Sequence, residues 1–199
     1  MEIGMEQIKA LRDETGVAVM QCKKALEDAG GDMEKARMAL RKKSGELALK
    51  KGDRTLESGV VAAYIHGNGS VGAIVELGCE TDFVAKNEDF KKLAYDIAMH
   101  VTAARPKYLK MDDVTDADKL KAKEFFAEEV AKTMEGKPEA IKEKALQGKM
   151  DTFFKEQVLL EQPFVKNADM TIGDLVKGAV QKFGENTELV RFARFSVGK

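Results

Sequence analysis

The chain has 199 residues, with 33 Lys plus Arg against 34 Asp plus Glu and a net charge of −1, so at about 150 residues per domain it holds one or two domains. That balance leaves no surplus of cations to displace counterions from phosphates, which weighs against a general nucleic-acid binder. Apolar residues make up 44% of the sequence, enough for a folded core, and no run approaches the roughly 18 consecutive apolar residues of a membrane span.

The amino terminus, MEIGMEQIKALRDE, is acidic and amphipathic. With no basic n-region or apolar h-region, it is expected to be a helix rather than a secretory signal. Ile3, Ile8 and Leu11 form its apolar stripe, and Thr15-Gly16 ends it. Val17, Met20, Cys22, Ala25, Leu26 and Ala29 continue on a second helix that stops at Gly30-Gly31, where glycine accepts the positive φ of a helix end. Asp32 caps a third helix bearing Met33, Ala36 and Leu40 at helical spacing. Residues 41–51 fit either a linker or a continuation of that helix. A bundle this small buries little surface, so residues 1–52 read as an appended recognition module with its linker.

From Val61 the apolar period changes to two. Val61, Ala63 and Ile65, then Val71, Ala73, Val75 and Leu77, flank Gly67-Asn68-Gly69, which predicts a β-hairpin. Phe90, Leu93, Ala94, Ile97 and Val101 predict a long helix ending before Arg105-Pro106. Thr115 and Asp118 open another helix with Leu120, Phe126, Val130 and Met134. A further helix starts after Pro138, while Gln162-Pro163-Phe164-Val165 reads as irregular. Ile172, Leu175, Val176 and Val180 make a short helix ending near Gly184. The closing LVRFARFSV is a strand whose partner must be the distant hairpin. The fold class is therefore α+β: a three-helix module at 1–52, then an antiparallel sheet packed with helices at 53–199.

No catalytic or metal constellation emerges. Cys22, Cys79, His66 and His100 lack the paired spacing of a zinc site, and both cysteines sit in apolar runs as packed, reduced thiols. Gly67-Asn68-Gly69-Ser70-Val71-Gly72 matches G-x-G-x-x-G, but a strand rather than a helix follows, so the glycines serve a turn. Nothing local activates Cys79 as a nucleophile. The runs Arg41-Lys42-Lys43 and Lys50-Lys51 suit a solvated helix end, although a ribosome- or RNA-associated protein would also carry them. One segment asks for more than a structural reading. Thr81-Asp82-Phe83-Val84-Ala85-Lys86-Asn87 lies at a strand-to-helix junction, where functional side chains tend to be displayed. Its structural reading has Asp82 capping a helical turn and Phe83 in the core; its functional reading has both on a protruding corner.

These residues resemble the translation elongation factor Ts family along nearly the whole chain. Leu11-Arg12-Asp13-Glu14-Thr15-Gly16, Cys22-Lys23-Lys24-Ala25-Leu26 and Gly31-Asp32-Met33-Glu34-Lys35-Ala36 resemble its ubiquitin-associated-like module. Glu80-Thr81-Asp82-Phe83-Val84-Ala85-Lys86-Asn87 resembles its most diagnostic motif. Gln162-Pro163-Phe164-Val165 and Arg194-Phe195-Ser196-Val197-Gly198 resemble its carboxy-terminal signatures. The resemblance implies a cytoplasmic guanine-nucleotide exchange factor, not an enzyme, with no cofactor and no metal. Its implied partner is elongation factor Tu, GDP-bound and nucleotide-free, with neither membrane nor direct nucleic acid involved. By the same resemblance Asp82 and Phe83, flanked by Thr81 and Val84, enter that partner's nucleotide-binding domain near its magnesium site. Arg12, Met20, Cys22 and Lys23 contact the same domain, and His66 at the hairpin tip meets the third domain. Val19 departs from the pattern, where a larger apolar residue is frequent. The chain has room for one hairpin-and-helix core where longer relatives have two, which makes a homodimer the expected assembly.

Overall fold

The computed structural model describes residues 3–198; Met1, Glu2 and Lys199, which the expected limits 1–52 and 53–199 include, lie outside the described residues. The chain divides into two compact units, one holding everything through Thr102 together with Gly173 onward, the other Ala103–Ile172.

The first unit begins with α1 (Met5–Thr15), α2 (Val19–Asp28) and α3 (Met33–Lys51). Ile8, Leu11, Val17, Cys22, Ala25, Leu26, Ala36 and Leu40 form their common core, with Ile3, Ala29 and Met33 packed against it. Asp32 caps α3 by accepting the Lys35 N–H at 3.1 Å. The basic stretch 41–51 is no linker: α3 runs unbroken for 19 residues. Lys50 and Lys51 fall in its last turn, where cations favour the helix dipole. Met20 departs from the expected apolar stripe and stands 72% exposed.

The sheet has the order β1-β2-β5, with β1 spanning Ser58–Ile65, β2 Val71–Cys79 and β5 Thr187–Ser196. Both pairings are antiparallel, so the last strand finds the hairpin as its alternation required. Of the turn glycines only Gly69 takes positive φ, at 72°. Between β2 and β5 the chain makes the one-turn helix α4 (Asp82–Ala85), the long α5 (Glu88–Ala104) and, after the second unit, α8 (Ile172–Phe183). Ala73, Val75, Leu77 and Cys79 are buried on one side of β2, while Ile74 on the other side is exposed. Helices α5 and α8 meet through Phe90 and Phe183, edge to face with ring centroids 5.5 Å apart. A polar relay joins α2, α3 and α8: the Ser44 hydroxyl meets the Gln181 amide oxygen, and Gln181 Nε2 donates to Gln21 Oε1 at 2.6 Å.

The second unit is an antiparallel pair of long helices, α6 (Asp116–Thr133) and α7 (Glu139–Gln157), plus a two-stranded sheet of β3 (Pro163–Phe164) and β4 (Asn167–Thr171). Thr115 caps α6, its Oγ1 accepting the Asp118 N–H at 3.1 Å and donating to the Asp118 carboxylate at 2.7 Å. Ala122, Phe154, Val158, Tyr108 and Val114 form the core, flanked by Phe126, Met150 and Phe153. Leu120, expected on the inward stripe, is exposed. The inward line instead runs through Ala122, Phe126 and Val130, each four residues on from the last. The segment expected to be irregular, 162–165, contains β3, which pairs with β4 just beyond it and which two residues of alternation could not announce.

Candidate functional site

Strand β2 ends at Cys79, and within three residues the chain turns into α4. Thr81, not Asp82, caps that turn: Thr81 Oγ1 accepts the Val84 N–H at 3.5 Å, and Thr81 O accepts the Ala85 N–H at 3.2 Å. Successive side chains on a helix diverge by about 100°. Val84 and Ala85 take the inward directions and are buried. Phe83, one step before them, is forced outward and stands 81% exposed. The core reading of Phe83 is thus overturned by the geometry of a single turn. Asp82 beside it is exposed and ion-paired with Lys86, whose ammonium holds the carboxyl below its usual range.

Two carboxylates fix this corner to the segment that enters β5. Glu185 accepts the Thr81 N–H at 3.0 Å and the Thr81 hydroxyl at 2.6 Å. Glu80, immediately before Thr81, accepts the Asn186 N–H at 2.5 Å and pairs with Arg54 at 3.2 Å. The Asn186 N–H first and the Arg54 guanidinium after it hold the Glu80 carboxyl below its ordinary range. Each segment therefore caps a backbone donor of the other. Gly184, at φ 73°, reverses the chain after α8 and aims Glu185 back at Thr81. Asn186 is buried, and its side-chain amide donates to Arg54 O at 3.0 Å. In the sequence Gly184 reads only as the end of a helix, and Glu185, Arg54 and Asn186 are not among the expected site residues. The acid directly after a helix-ending glycine, where it can reach a neighbouring strand end, was the available signal.

The other expected contact residues divide by burial. On the helical module Arg12, Met20 and Lys23 are exposed, and Lys23 pairs with Glu27 at 3.7 Å. Cys22 does not join them. Its side chain is wholly buried in the three-helix core, with Sγ donating to Val17 O at 3.5 Å, and burial pushes its thiol pKa up. As a surface contact Cys22 is corrected to a core residue, and Val84 likewise lies beneath the corner it helps to shape. Thr81 is exposed, yet its hydroxyl is already engaged by Glu185. His66 is exposed after β1, its ring Nδ1 3.2 Å from the Tyr64 hydroxyl, and Tyr64 packs edge to face on Tyr95.

This arrangement displays surface. Cys79 lies at the far end of β2 from the turn that carries His66, and a strand rises about 3.4 Å per residue. Burial, and then the Glu185 carboxylate, push the Cys79 thiol up, so it stays protonated and unreactive at neutral pH. Among the described residues no three His, Cys, Asp or Glu side chains are grouped to hold a metal ion. No described helix is long and apolar enough to cross a membrane.

A family model described as Elongation factor TS matches residues 5–199. The chain is 48% identical over 199 residues to the elongation factor Ts of Alkaliphilus metalliredigens, covering all of this chain (100%) and 91% of the relative. It is 47% identical over 197 residues to that of Carboxydothermus hydrogenoformans, with 99% and 90% covered. With the elongation factor Ts of Coprothermobacter proteolyticus it shares 44% identity over 199 residues, 100% of both chains.

Proposed function

The chain belongs to the elongation factor Ts family, a family of translation elongation factors, and on that premise we propose that it is a guanine-nucleotide exchange factor for elongation factor Tu. In this reading it binds the GDP form, disturbs the magnesium and phosphate site, and is held most tightly by the nucleotide-free form. The observation that carries the reading is the exposure of Phe83 on a turn tied down on both sides, with the charge of Asp82 next to it. Large exposed aromatic rings on rigid corners act as anchors that enter a partner's pocket.

Energetics divide the labour. Coupling between nucleotide and exchange factor is reciprocal, so the factor weakens GDP only as far as it prefers the empty partner. A 10⁴-fold shift needs about 5.5 kcal/mol of differential binding. Burying one Phe side chain yields about 1.5–3 kcal/mol. Phe83 therefore acts as the wedge while other surfaces anchor. Arg12, Met20 and Lys23 on the module, with Cys22 in the core beneath them, and His66 at the hairpin tip supply those anchors, while Thr81 and Val84 hold the corner that presents Phe83. Losing the magnesium ion then weakens the electrostatic hold on the phosphates. No group of this protein makes or breaks a bond, so it is not an enzyme, and it works in the cytoplasm with translation. Residues 1–52 form the recognition module in this scheme and 53–199 the core.

A homodimer completes the proposal. On the solvent side of the sheet the register gives the rows Ile65–Gly72–Phe195, Ala63–Ile74–Ala193 and Val61–Glu76–Arg191. Val61, Ile65, Ile74 and Phe195 are all exposed there, between small Ala and Gly positions that leave room for knobs from a second sheet. Two such faces pack at about 10 Å with their strands nearly aligned, and one short chain thereby gains by pairing what a longer relative holds in duplicate.

The test is release of fluorescent GDP from elongation factor Tu into excess unlabelled nucleotide, with and without this protein. Strong acceleration that saturates with its concentration is the expected result. Unchanged release at saturating concentration contradicts the reading.

A further inference from the structure

The corner that displays Phe83 is four residues long, too short to hold a helical conformation by its own hydrogen bonds. Its hold comes from outside. Thr81 presents two donors, its backbone N–H and its hydroxyl, and both meet the carboxylate of Glu185, one oxygen each. With the hydroxyl hydrogen committed to Glu185, the Thr81 oxygen keeps its lone pairs for the Val84 N–H, the capping bond of α4. Glu185 thus sets the orientation of the cap, and the cap sets the direction in which Phe83 leaves the backbone. The reciprocal bond from the Asn186 N–H to Glu80 locks the same two segments from the other side.

From this we infer that Glu185 is a positioning residue for the exchange wedge: its carboxylate, reaching across from the α8–β5 turn, orients Thr81 and so presents Phe83 ready to insert. The inference rests on the exchange-factor reading. Glu185 need not touch the partner. A wedge held in one orientation enters without first losing conformational freedom, whereas a loose one is ordered at the moment of insertion. Such an effect appears in the maximal exchange rate, because the distant anchors on α1, α2 and the hairpin still deliver the complex.

The experiment uses the full chain and four proteins: wild type, Glu185→Gln, Phe83→Ala and the double variant. Gln is isosteric but has one acceptor oxygen for the two Thr81 donors. With the charge-assisted bonds gone, Glu185→Gln is expected to lower the maximal rate of GDP release about tenfold with its half-saturating concentration within about twofold of wild type. In the Phe83→Ala background the same substitution is expected to change nothing further, since Glu185 acts through the ring. A loss that repeats in full without Phe83, or one confined to half-saturation, overturns the inference. A second readout needs no partner. Amide hydrogen exchange at Val84, Ala85 and Lys86 is expected to quicken at least tenfold in Glu185→Gln while amides of α5 keep wild-type protection. Unchanged protection at those three amides also overturns it. Should wild type fail to accelerate release while the amides quicken, the exchange-factor reading has failed and the tie from Glu185 to Thr81 stands; rapid release by wild type with unaltered amides in the variant is the converse.

Discussion

The first unit shows apolar surface in two contrasting ways. At the α4 corner one ring, Phe83, stands alone on a turn flanked by the charges of Asp82 and Lys86. Across the sheet, Val61, Ile65, Ile74 and Phe195 share one broad face. Fractional exposure is nearly the same for Phe83, 81%, and Phe195, 72%, so exposure alone does not separate them. Their supports do. A point held by hydrogen bonds from neighbouring segments suits insertion into a pocket, while a plane of large side chains interleaved with Ala and Gly suits a second plane.

Substitutions that act on one display and leave the other alone break or sharpen this contrast. The largest effect is expected from Phe195→Asp, which puts an unpaired carboxylate into the proposed pairing face. Dimer affinity should fall by at least a hundredfold, read as a monomer at micromolar concentration in sedimentation while the circular dichroism stays unchanged. Elution of the wild type as a monomer in the same experiment contradicts the pairing.

The next contrast lies within the corner itself. Val84→Ala removes buried methyl groups and is expected to cost about 1–3 kcal/mol in denaturant unfolding. Phe83→Ala, one residue away, should change stability by less than about 0.5 kcal/mol, because its ring is in solvent. Equal losses at the two positions mean that Phe83 packs in solution and that no wedge is displayed.

A smaller effect separates the two supports by pH. The folded state depresses the Glu80 pKa, so the stability this gives is present above the ordinary Glu value of about 4.3 and is lost as pH falls through the lower folded value. Val61, Ile65, Ile74 and Phe195 on the sheet face have no titratable group of their own. Replacing Glu80 by Gln should flatten the acid limb of Tm below the ordinary Glu value of about 4.3, and an unaltered limb contradicts the tie between 80 and 186. Smallest of all is the response to a thiol reagent. Cys22 and Cys79 are both wholly buried with raised pKa values, so alkylation at neutral pH should be slow until the protein unfolds. Rapid labelling of Cys22 in the native protein would restore it as a surface residue.

Much of this architecture is legible in the sequence because single local rules govern it. Asp32 and Thr115 cap helices as their positions require, and the alternation of 189–197 demands the sheet partner it finds in β2. Where two rules compete, the sequence is silent. Residues 41–51 carry both linker-like charge and helical propensity, and only packing of Ser44 against Gln181 in α8 shows why the helix continues. Within the contact set, composition could not sort Met20 from Cys22 or Phe83 from Val84. Apolar neighbours on a helix differ in role by which way a single turn points them. Glu185 is hinted at only by its place after Gly184, because its partner Thr81 lies 104 residues away and only the β2–β5 register brings the two strand ends together.

The central claim is that Phe83 is displayed in order to displace nucleotide, and one comparison tests it most directly. Fluorescent GDP release from elongation factor Tu is followed in stopped flow with wild type and with Phe83→Ala over a range of concentrations. The predicted result is a maximal rate lowered by roughly ten- to a hundredfold, matching about 1.5–3 kcal/mol of lost burial, with half-saturation little changed. A Phe83→Ala protein that accelerates release as fully as wild type contradicts the claim and moves the exchange step to the helical module or the hairpin.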